Sequence, residues 1–198
     1  MIPSDSLLAL IAYTFVMTIS PGPNNVLLLS SGLNFGLRRT GWHLAGIFCG
    51  TLLMIGFVGA GLGPLFEQVP GLQIFLKLAG SMYMLWLARQ LWNVDALHAT
   101  ELARPIRFDE AALFQAINPK VWLMAITVNA AFVPTGEHYA EHIAVAALIF
   151  GATAIPCITL WAASGAGLRA LIENPAVLRR INRVLAVLAV TTVALFWI

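Results

Sequence analysis

The stretch TISPGPNNVLLLSS, residues 18–31, decides how this chain folds. It places Pro21, Gly22 and Pro23 inside a run without charged residues that extends from Ser6 to Leu37. Proline lacks a backbone donor and glycine loosens a helix, so a helix that passes through this point is expected to break. What the break does depends on the solvent around it.

The composition identifies that solvent. The chain has 198 residues, of which 60% are hydrophobic and 10% are charged, and its mean hydropathy is +0.85. A soluble domain carries about 25% charged residues, so these values predict an integral membrane protein. One span needs about 20 apolar residues, which leaves room for about six helices. A net charge of +2 without a basic run argues against nucleic acid as a partner.

Charged residues and prolines mark the ends of the hydrophobic runs. We predict an all-α membrane protein of one domain with six transmembrane helices. The predicted spans are residues 6–31, 41–63, 71–91, 110–133, 141–165 and 177–198. A polar linker at about 93–108 is predicted to join two halves, about 1–92 and 109–198. Three spans in each half would insert the second half upside down, which is the inverted-repeat arrangement of many transporters.

Arginines predict the side of the membrane that each loop faces. They lie in the loops after the first, third and fifth spans, at Arg38, Arg39, Arg89, Arg104, Arg107, Arg169, Arg179, Arg180 and Arg183. Loops on the cytoplasmic side of a membrane are enriched in Lys and Arg. These three loops are therefore predicted to be cytoplasmic, with both chain termini outside.

A broken helix at membrane depth needs protein or a water-filled cavity to satisfy the backbone groups that it frees. We interpret Pro21-Gly22-Pro23 as an unwound segment beside a cavity, followed by a helix that begins near Asn24. A kink that serves packing alone is the alternative. Free amides and the positive end of the helix suit a carboxylate, and Asn25 adds a side-chain amide.

A second motif, INPK at residues 117–120, has similar chemistry. Asn118 precedes a proline, which favours a non-helical backbone at the asparagine. Lys120 places an ammonium about ten residues into the fourth span, where it must either reach the membrane surface or meet a partner. Lys77 in the third span has the same two alternatives.

Several motifs together resemble a family of bacterial transporters. SPGPNN at 20–25, FLKLAGSMYMLWLA at 75–88 and NPK at 118–120 resemble the lysine exporter (LysE)/RhtB family over essentially the full chain. The resemblance implies a multi-pass secondary exporter of the bacterial inner membrane that moves amino acids out of the cytoplasm, uses the proton motive force and needs no cofactor. The chain looks most similar to the branch that exports neutral amino acids such as cysteine and O-acetylserine, with threonine- or homoserine-like substrates as an alternative. It departs from the family pattern after GSMY and after NPK.

The charge of the substrate can be predicted separately. The central parts of the predicted spans contain no Asp or Glu. A carrier of a dication such as lysine is expected to place a carboxylate at the binding depth, so a zwitterion with a neutral side chain is favoured. In this prediction the helix end at Asn24, together with Asn25 and Lys120, binds the carboxylate, and carbonyls freed by Pro21 and Pro23 bind the ammonium. The predicted substrate site consists of Pro21, Gly22, Pro23, Asn24, Asn25, Tyr83, Asn118 and Lys120, with Trp86 and Asn129 as further lining residues.

Few residues are candidates for proton coupling. Proton relays mostly use His, Asp or Glu, which leaves His43 and Asp109, with Lys77 as an unusual further candidate. His43 as a surface histidine and Asp109 as a helix cap are the alternatives. Coupling through a proton of the substrate or through another ion also stays open.

Two other functional classes are alternatives to the exporter: a membrane thiol oxidoreductase and a structural membrane subunit. A membrane thiol oxidoreductase would need paired cysteines, but Cys49 and Cys157 form no CxxC motif and are interpreted as packing residues. No metal site is predicted. A structural membrane subunit that transports nothing would need no broken helix.

Glycines four residues apart predict close approach of helices. The pairs are Gly32 and Gly36, Gly46 and Gly50, and Gly59 and Gly63. Such small-residue faces allow two helix backbones to come into contact. Packing within one chain is the main interpretation, and a homodimer through these faces is the alternative.

Overall fold

The computed structural model describes residues 4–63, 68–93, 104–172, 174–194 and 197, and within these ranges it contains helices and no strand. The helices are α1 (Ser4–Ile19), α2 (Pro23–Phe35), α3 (Leu37–Phe57), α4 (Pro70–Trp92), α5 (Phe108–Ile117), α6 (Pro119–Phe132), α7 (Tyr139–Leu171) and α8 (Pro175–Ala194). A π-helical turn, Val58–Leu62, continues α3. Residues 94–103, most of the predicted linker, lie outside the described residues.

The all-α class is confirmed, and each predicted span coincides with a helix or a bent pair of helices. Two predicted boundaries are wrong. α7 extends to Leu171 instead of ending near residue 165. The loop predicted after the first span is one residue, Gly36, between α2 and α3. Gly36 has φ +79°, which favours glycine, and this conformation lets the two helices follow each other without a loop.

Helix length and composition identify the candidate membrane spans among the described residues. Two of them, Leu37–Leu62 and Tyr139–Leu171, are each long and apolar enough to cross a bilayer. Two bent pairs qualify only if each pair counts as one span: Ser6–Ile19 with Pro23–Phe35, and Phe108–Ile117 with Pro119–Phe132. The described residues therefore contain two to four candidate spans, and the count of six stays a prediction.

The two halves of the chain repeat the same order of elements. Each half has a bent pair, then a long helix, then a further helix, so α1 and α2 correspond to α5 and α6. The long helices α3 and α7 pack against each other, and so do α4 and α8. The equivalent helices that follow the bent pairs are therefore neighbours, and the inverted insertion of the second half stays a prediction.

Three hydrophobic clusters form the interior, and the smallest of them joins α2, α3, α5 and α7 around Leu28 and Ile158. Of the two larger clusters, the first joins α1, α3, α6 and α7 around residues such as Ile55 and Phe150. The second joins α2, α4, α5 and α8 around residues such as Met84 and Phe114. Each bent pair contributes one helix to each of these two clusters. Each helix break therefore separates a helix of the first cluster from a helix of the second.

The outer surface is apolar, and one end of the molecule is rich in arginine. Trp42 and Leu113 are 73% and 72% exposed, as expected for a surface in contact with lipid. Arg39, Arg104 and Arg107 line one shallow surface cavity. The end at which these arginines gather, where α2 meets α3, is called the arginine end below.

Close packing at the predicted glycine faces occurs within the chain. A Cβ atom added to Gly46 would collide with the backbone oxygen of Phe108. One added to Gly50 would lie 2.7 Å from the backbone oxygen of Ala112, and one added to Gly32 would collide with that of Ala162. These glycines bring α3 against α5 and α2 against α7. The intrachain interpretation is confirmed at these positions, and the homodimer stays a prediction.

Candidate functional site

The first helix is broken at the predicted residues. α1 ends at Ile19, α2 begins at Pro23, and the two axes are bent by 57°. Pro21 and Pro23 have no amide hydrogen, so neither can donate the hydrogen bond that would continue α1. Gly22 has an extended backbone and is the N-cap of α2. The break therefore leaves backbone carbonyls at the end of α1 without helical partners.

The amide of Asn25 and the indole of Trp161 satisfy three of these carbonyls. Asn25 Nδ2 donates to the backbone oxygens of Thr18, at 2.9 Å, and Ser20, at 2.7 Å. Trp161 Nε1 on α7 donates to the oxygen of Ile19 at 3.1 Å. Asn25 is buried and holds the end of α1 against the start of α2.

Lys120 connects the two predicted motifs. Its Nζ donates to Ser20 O at 3.1 Å, to Ser20 Oγ at 2.9 Å and to Pro21 O at 3.3 Å. These are carbonyls that the sequence predicted would bind the ammonium of a substrate. In the structure the ammonium on them is the chain's own. Lys120 thus reaches the break in the first helix instead of the membrane surface.

The second break has the predicted backbone. Asn118 separates α5 from α6 with φ −91° and ψ 105°, and the two axes are bent by 71°. Its side-chain oxygen accepts the backbone N–H of Lys120 at 3.2 Å, which makes Asn118 the N-cap of α6. This cap fixes the first turn of α6 and hence the direction in which Lys120 leaves it.

A polar pair missed by the sequence analysis joins α2 to α5. Asn24 Nδ2 donates to Gln115 Oε1 at 2.8 Å, and Gln115 Nε2 donates back to Asn24 Oδ1 at 3.3 Å. Gln115 is fully buried and also donates to the oxygen of Ala111 at 2.7 Å. The sequence feature that could have indicated this pair is Gln115 itself, a lone glutamine in an apolar run three residues before Asn118.

A small cavity of about 40 Å³ lies between the two breaks. This is room for roughly three water molecules, each of which needs about 10–15 Å³. Its polar lining consists of Thr18, Asn24, Asn25, Thr51, Asn118 and Lys120. Gly22 and Pro23 also line it, whereas Pro21 contributes only its carbonyl to Lys120. The lining contains one cationic side chain and no carboxylate among the described residues.

Three residues predicted around the substrate lie elsewhere. Tyr83 and Trp86 on α4 line a second cavity, and Tyr83 packs its ring on Phe114 with centroids 4.9 Å apart. Asn129 donates to the backbone oxygens of Ile55 and Ala125, both at 2.9 Å, and so joins α6 to α3. Tyr83 and Trp86 do not line the cavity at Lys120, because α4 belongs to the second hydrophobic cluster, and Asn129 on α6 does not line it either. Their contact with substrate stays a prediction.

His43 is buried, so its interpretation as a surface histidine is wrong. Its side chain is 1% exposed, on the face of α3 that packs against α5. The Nδ1 atom is buried without a hydrogen-bond partner. A buried, unpartnered imidazole is costly unless it has a function or a transient partner.

The other two titratable candidates, Asp109 and Lys77, lie on α5 and α4. Asp109 is in the first turn of α5 and pairs with Arg107 at 3.0 Å, and the N-cap of that helix is Arg107 rather than Asp109. Lys77 on α4 is half-buried and lies with its Nζ 5.9 Å from the ring centroid of Trp197. Neither residue lines the cavity between the breaks.

The cysteines are not paired. Cys49 and Cys157 are both free thiols, and Cys157 is buried on α7. The described residues contain no group of three or more His, Cys, Asp or Glu side chains that could hold a metal ion. The packing interpretation of both cysteines stays a prediction.

Comparison with known proteins gives a consistent result. The family model of the LysE type translocator matches residues 15–198. The chain is 34% identical over 125 residues to a cysteine/O-acetylserine efflux protein of Klebsiella pneumoniae, which covers 63% of this chain and 64% of that protein. The protein of the same description from Escherichia coli K12 is 32% identical over 122 residues, 61% of this chain and 62% of that protein.

A longer but weaker match is to a protein of Vibrio cholerae described as an uncharacterized membrane protein. It is 28% identical over 186 residues, with 89% of this chain and 88% of that protein covered. The match to the efflux proteins spans a little less than two thirds of their length. No solved structure matches the chain.

Proposed function

Because the chain belongs to the LysE type translocator family, we propose that it exports small neutral amino acids from the bacterial cytoplasm, and that they bind in the cavity between the two helix breaks. The observation that supports this proposal is the position of Lys120. Lys120 and Asn24 line one cavity between the two helix breaks, and the Lys120 ammonium is hydrogen-bonded to the carbonyls of Ser20 and Pro21. Discontinuous helices are where secondary transporters bind their substrates.

The charges around the cavity favour a zwitterion. The α-carboxylate of the substrate would face Lys120 and the positive end of α2. Its ammonium would take the place of the Lys120 ammonium on the carbonyls of Ser20 and Pro21. A second positive charge on the substrate would find no carboxylate among the described lining residues. Lysine is therefore disfavoured, and the small volume favours a short side chain such as that of cysteine or O-acetylserine.

The proposed orientation places six spans in the inner membrane with the arginine end in the cytoplasm and both termini outside. Arg39, Arg104 and Arg107 lie together at that end. α2 runs from the cavity to the arginine end, from Pro23 to Phe35. At about 1.5 Å per residue this is a depth of roughly 20 Å. A substrate entering from the cytoplasm would reach the cavity along α2.

The transport assay for this proposal uses inside-out membrane vesicles with an acidic interior, so that export appears as uptake. Radiolabelled cysteine, O-acetylserine, threonine and lysine are supplied outside, and vesicles without the protein are the control. We expect accumulation of a neutral amino acid above the control, and none of lysine. If none of the four accumulates, the proposal is rejected for these substrates. Accumulation that ignores the pH gradient would reject proton coupling alone.

We propose His43 as the proton-coupling residue, because its Nδ1 is a buried imidazole nitrogen without a hydrogen-bond partner and His43 lies four residues before the cavity lining at Ile47. His43→Gln is expected to abolish stimulation of transport by the pH gradient. Exchange of labelled for unlabelled substrate, which needs no net proton movement, is expected to continue. The measurement compares both rates in the same vesicles.

A matched control for this variant is His138→Gln. His138 is exposed at the start of α7 and pairs with Glu141 at 3.4 Å. This variant should keep the stimulation by the gradient. Full stimulation in His43→Gln, with exchange at the wild-type rate, would show that His43 does not carry the proton.

A further inference from the structure

A second cavity opens between α2, α4 and the start of α5. Its volume is about 230 Å³, several times that of the cavity between the breaks. Its lining is chemically mixed: hydroxyls, aromatic rings and one ion pair. Its polar and aromatic lining residues include Ser30, Tyr83, Trp86, Gln90, Arg104 and Glu110.

The ion pair brings both signs of charge to this cavity. Arg104 Nη1 donates to Glu110 Oε2 at 2.8 Å, and Nη2 donates to Oε1 at 2.6 Å. Glu110 also accepts the backbone N–H of Arg107 at 2.9 Å and so caps α5. The hydrogen bond that Arg104 donates to Glu110 raises the pKa of Arg104, so the guanidinium stays charged.

This ion pair can be opened at little cost. The two side chains are 52% and 35% exposed, and exposed ion pairs contribute little to stability. The guanidinium is a fork of donors that matches a carboxylate, and the Glu110 carboxylate can accept from an ammonium. An α-amino acid carries both groups on one carbon atom. It could replace the contact between Arg104 and Glu110 with one contact to each.

The second cavity lies on the way to the first. Ser30 is on the same helix as Asn24, and their separation of six positions corresponds to about 9 Å. Glu110 and Gln115 are likewise on one helix, α5, and Gln115 is hydrogen-bonded to Asn24. α2 and α5 thus connect the two cavities, with the second one nearer the arginine end.

We infer that the cavity at Arg104 and Glu110 is a second amino-acid binding site, in which Arg104 binds the α-carboxylate and Glu110 the α-ammonium of a zwitterion before it reaches the cavity at Lys120. This inference rests on the proposed function. The rings of Tyr83 and Trp86 would cover one side of the substrate, and the hydroxyl of Ser30 and the amide of Gln90 could bind a polar side chain. Tyr83, predicted to lie in the site at Lys120, would then contact substrate at this earlier position.

Direct binding tests the inference without transport. The purified chain in lipid nanodiscs is dialysed against radiolabelled cysteine kept reduced, and we expect two equivalents bound per chain. Arg104→Gln should weaken the binding of one of the two cysteines by at least about tenfold in Kd, the usual effect of losing a hydrogen bond to a charged group. Glu110→Gln should do the same while its amide oxygen still caps α5. Unlabelled cysteinamide, which lacks the carboxylate, should compete poorly with cysteine for the site at Arg104 and Glu110.

Arg107→Gln is the matched control, because Arg107 is an exposed arginine of the same segment that pairs with Asp109 and does not line the second cavity. It should leave both equivalents unchanged. Equal weakening by Arg104→Gln and Arg107→Gln would overturn the inference, since it would reflect general positive charge near the membrane. So would wild-type stoichiometry and affinity in Arg104→Gln.

Transport separates failure of this inference from failure of the proposed function. Arg104→Gln is expected to raise KM for cysteine about tenfold with little change in kcat. A wild-type chain that transports while Arg104→Gln has the same KM overturns the inference only. A wild-type chain that binds two equivalents and transports nothing overturns the proposed function and leaves the second site supported.

Discussion

Lys120→Met is expected to lower kcat/KM for export of a neutral amino acid by about 100-fold. Lys120 Nζ makes three hydrogen bonds to Ser20 and Pro21, and it is the one cationic group among the described residues that line the cavity. Methionine has a similar length but no donor. A hydrogen bond to a charged group contributes about 1.5–3 kcal/mol, and a loss of ~2.8 kcal/mol corresponds to about 100-fold.

The matched control is Lys77→Met, which removes the other lysine of the chain. Lys77 contacts Trp197 and does not line the cavity. It should keep transport near the wild-type rate. Initial rates in inside-out vesicles, normalised to the amount of protein, measure both variants. Equal rates for Lys120→Met and wild type would show that the Lys120 ammonium takes no part in binding substrate.

Both helix breaks could be predicted from the sequence because their causes are local. Pro21 and Pro23 lack the donor that a helix needs, whatever surrounds them. Asn118 precedes a proline, which disfavours helical angles wherever the residue lies. The structure has both breaks at these residues, with bends of 57° and 71°. Local backbone chemistry was therefore sufficient to predict the positions of both helix breaks.

The contacts across the breaks depend on which helices meet, and sequence patterns do not carry that information. Lys120 and Ser20 are 100 residues apart and are joined by hydrogen bonds. Asn24 and Asn25 were predicted to act alike, but successive helical residues point about 100° apart. Asn24 therefore faces Gln115 on α5, and Asn25 turns back to the end of α1.

His43 shows why burial was harder to predict than helix position. It lies four and five residues after Arg39 and Arg38, which are exposed, and this neighbourhood favoured a surface position. α5 covers it, because glycines at 46 and 50 allow that helix to approach α3 closely. The glycine spacing was recognised in the sequence, but the helix that fills it could be identified only in the structure.

Gly165→Ala is expected to destabilise the fold strongly, although alanine normally favours a helix over glycine. A Cβ atom on Gly165 in α7 would collide with the backbone oxygen of Leu29 and lie 2.8 Å from the backbone nitrogen of Leu33, both in α2. Backbone atoms of a helix cannot move aside as a flexible side chain can. Overpacking costs about 1–3 kcal/mol, occasionally more, and we expect at least ~3 kcal/mol here.

Gly167→Ala in the same helix is the control, because a Cβ at that position has no neighbour within 4 Å. It should leave stability unchanged or raise it by about 0.5–1 kcal/mol through helix propensity. The two variants are therefore expected to change the free energy of unfolding in opposite directions, and no general effect of glycine replacement can explain both.

Thermal unfolding in detergent measures both variants. A loss of ~3 kcal/mol lowers Tm by about 6–12 °C for a chain of this size. If both variants unfold at the same temperature, contact between α2 and α7 does not limit stability. Since α2 also carries Asn24 and Asn25, displacing it from α7 should impair transport together with stability.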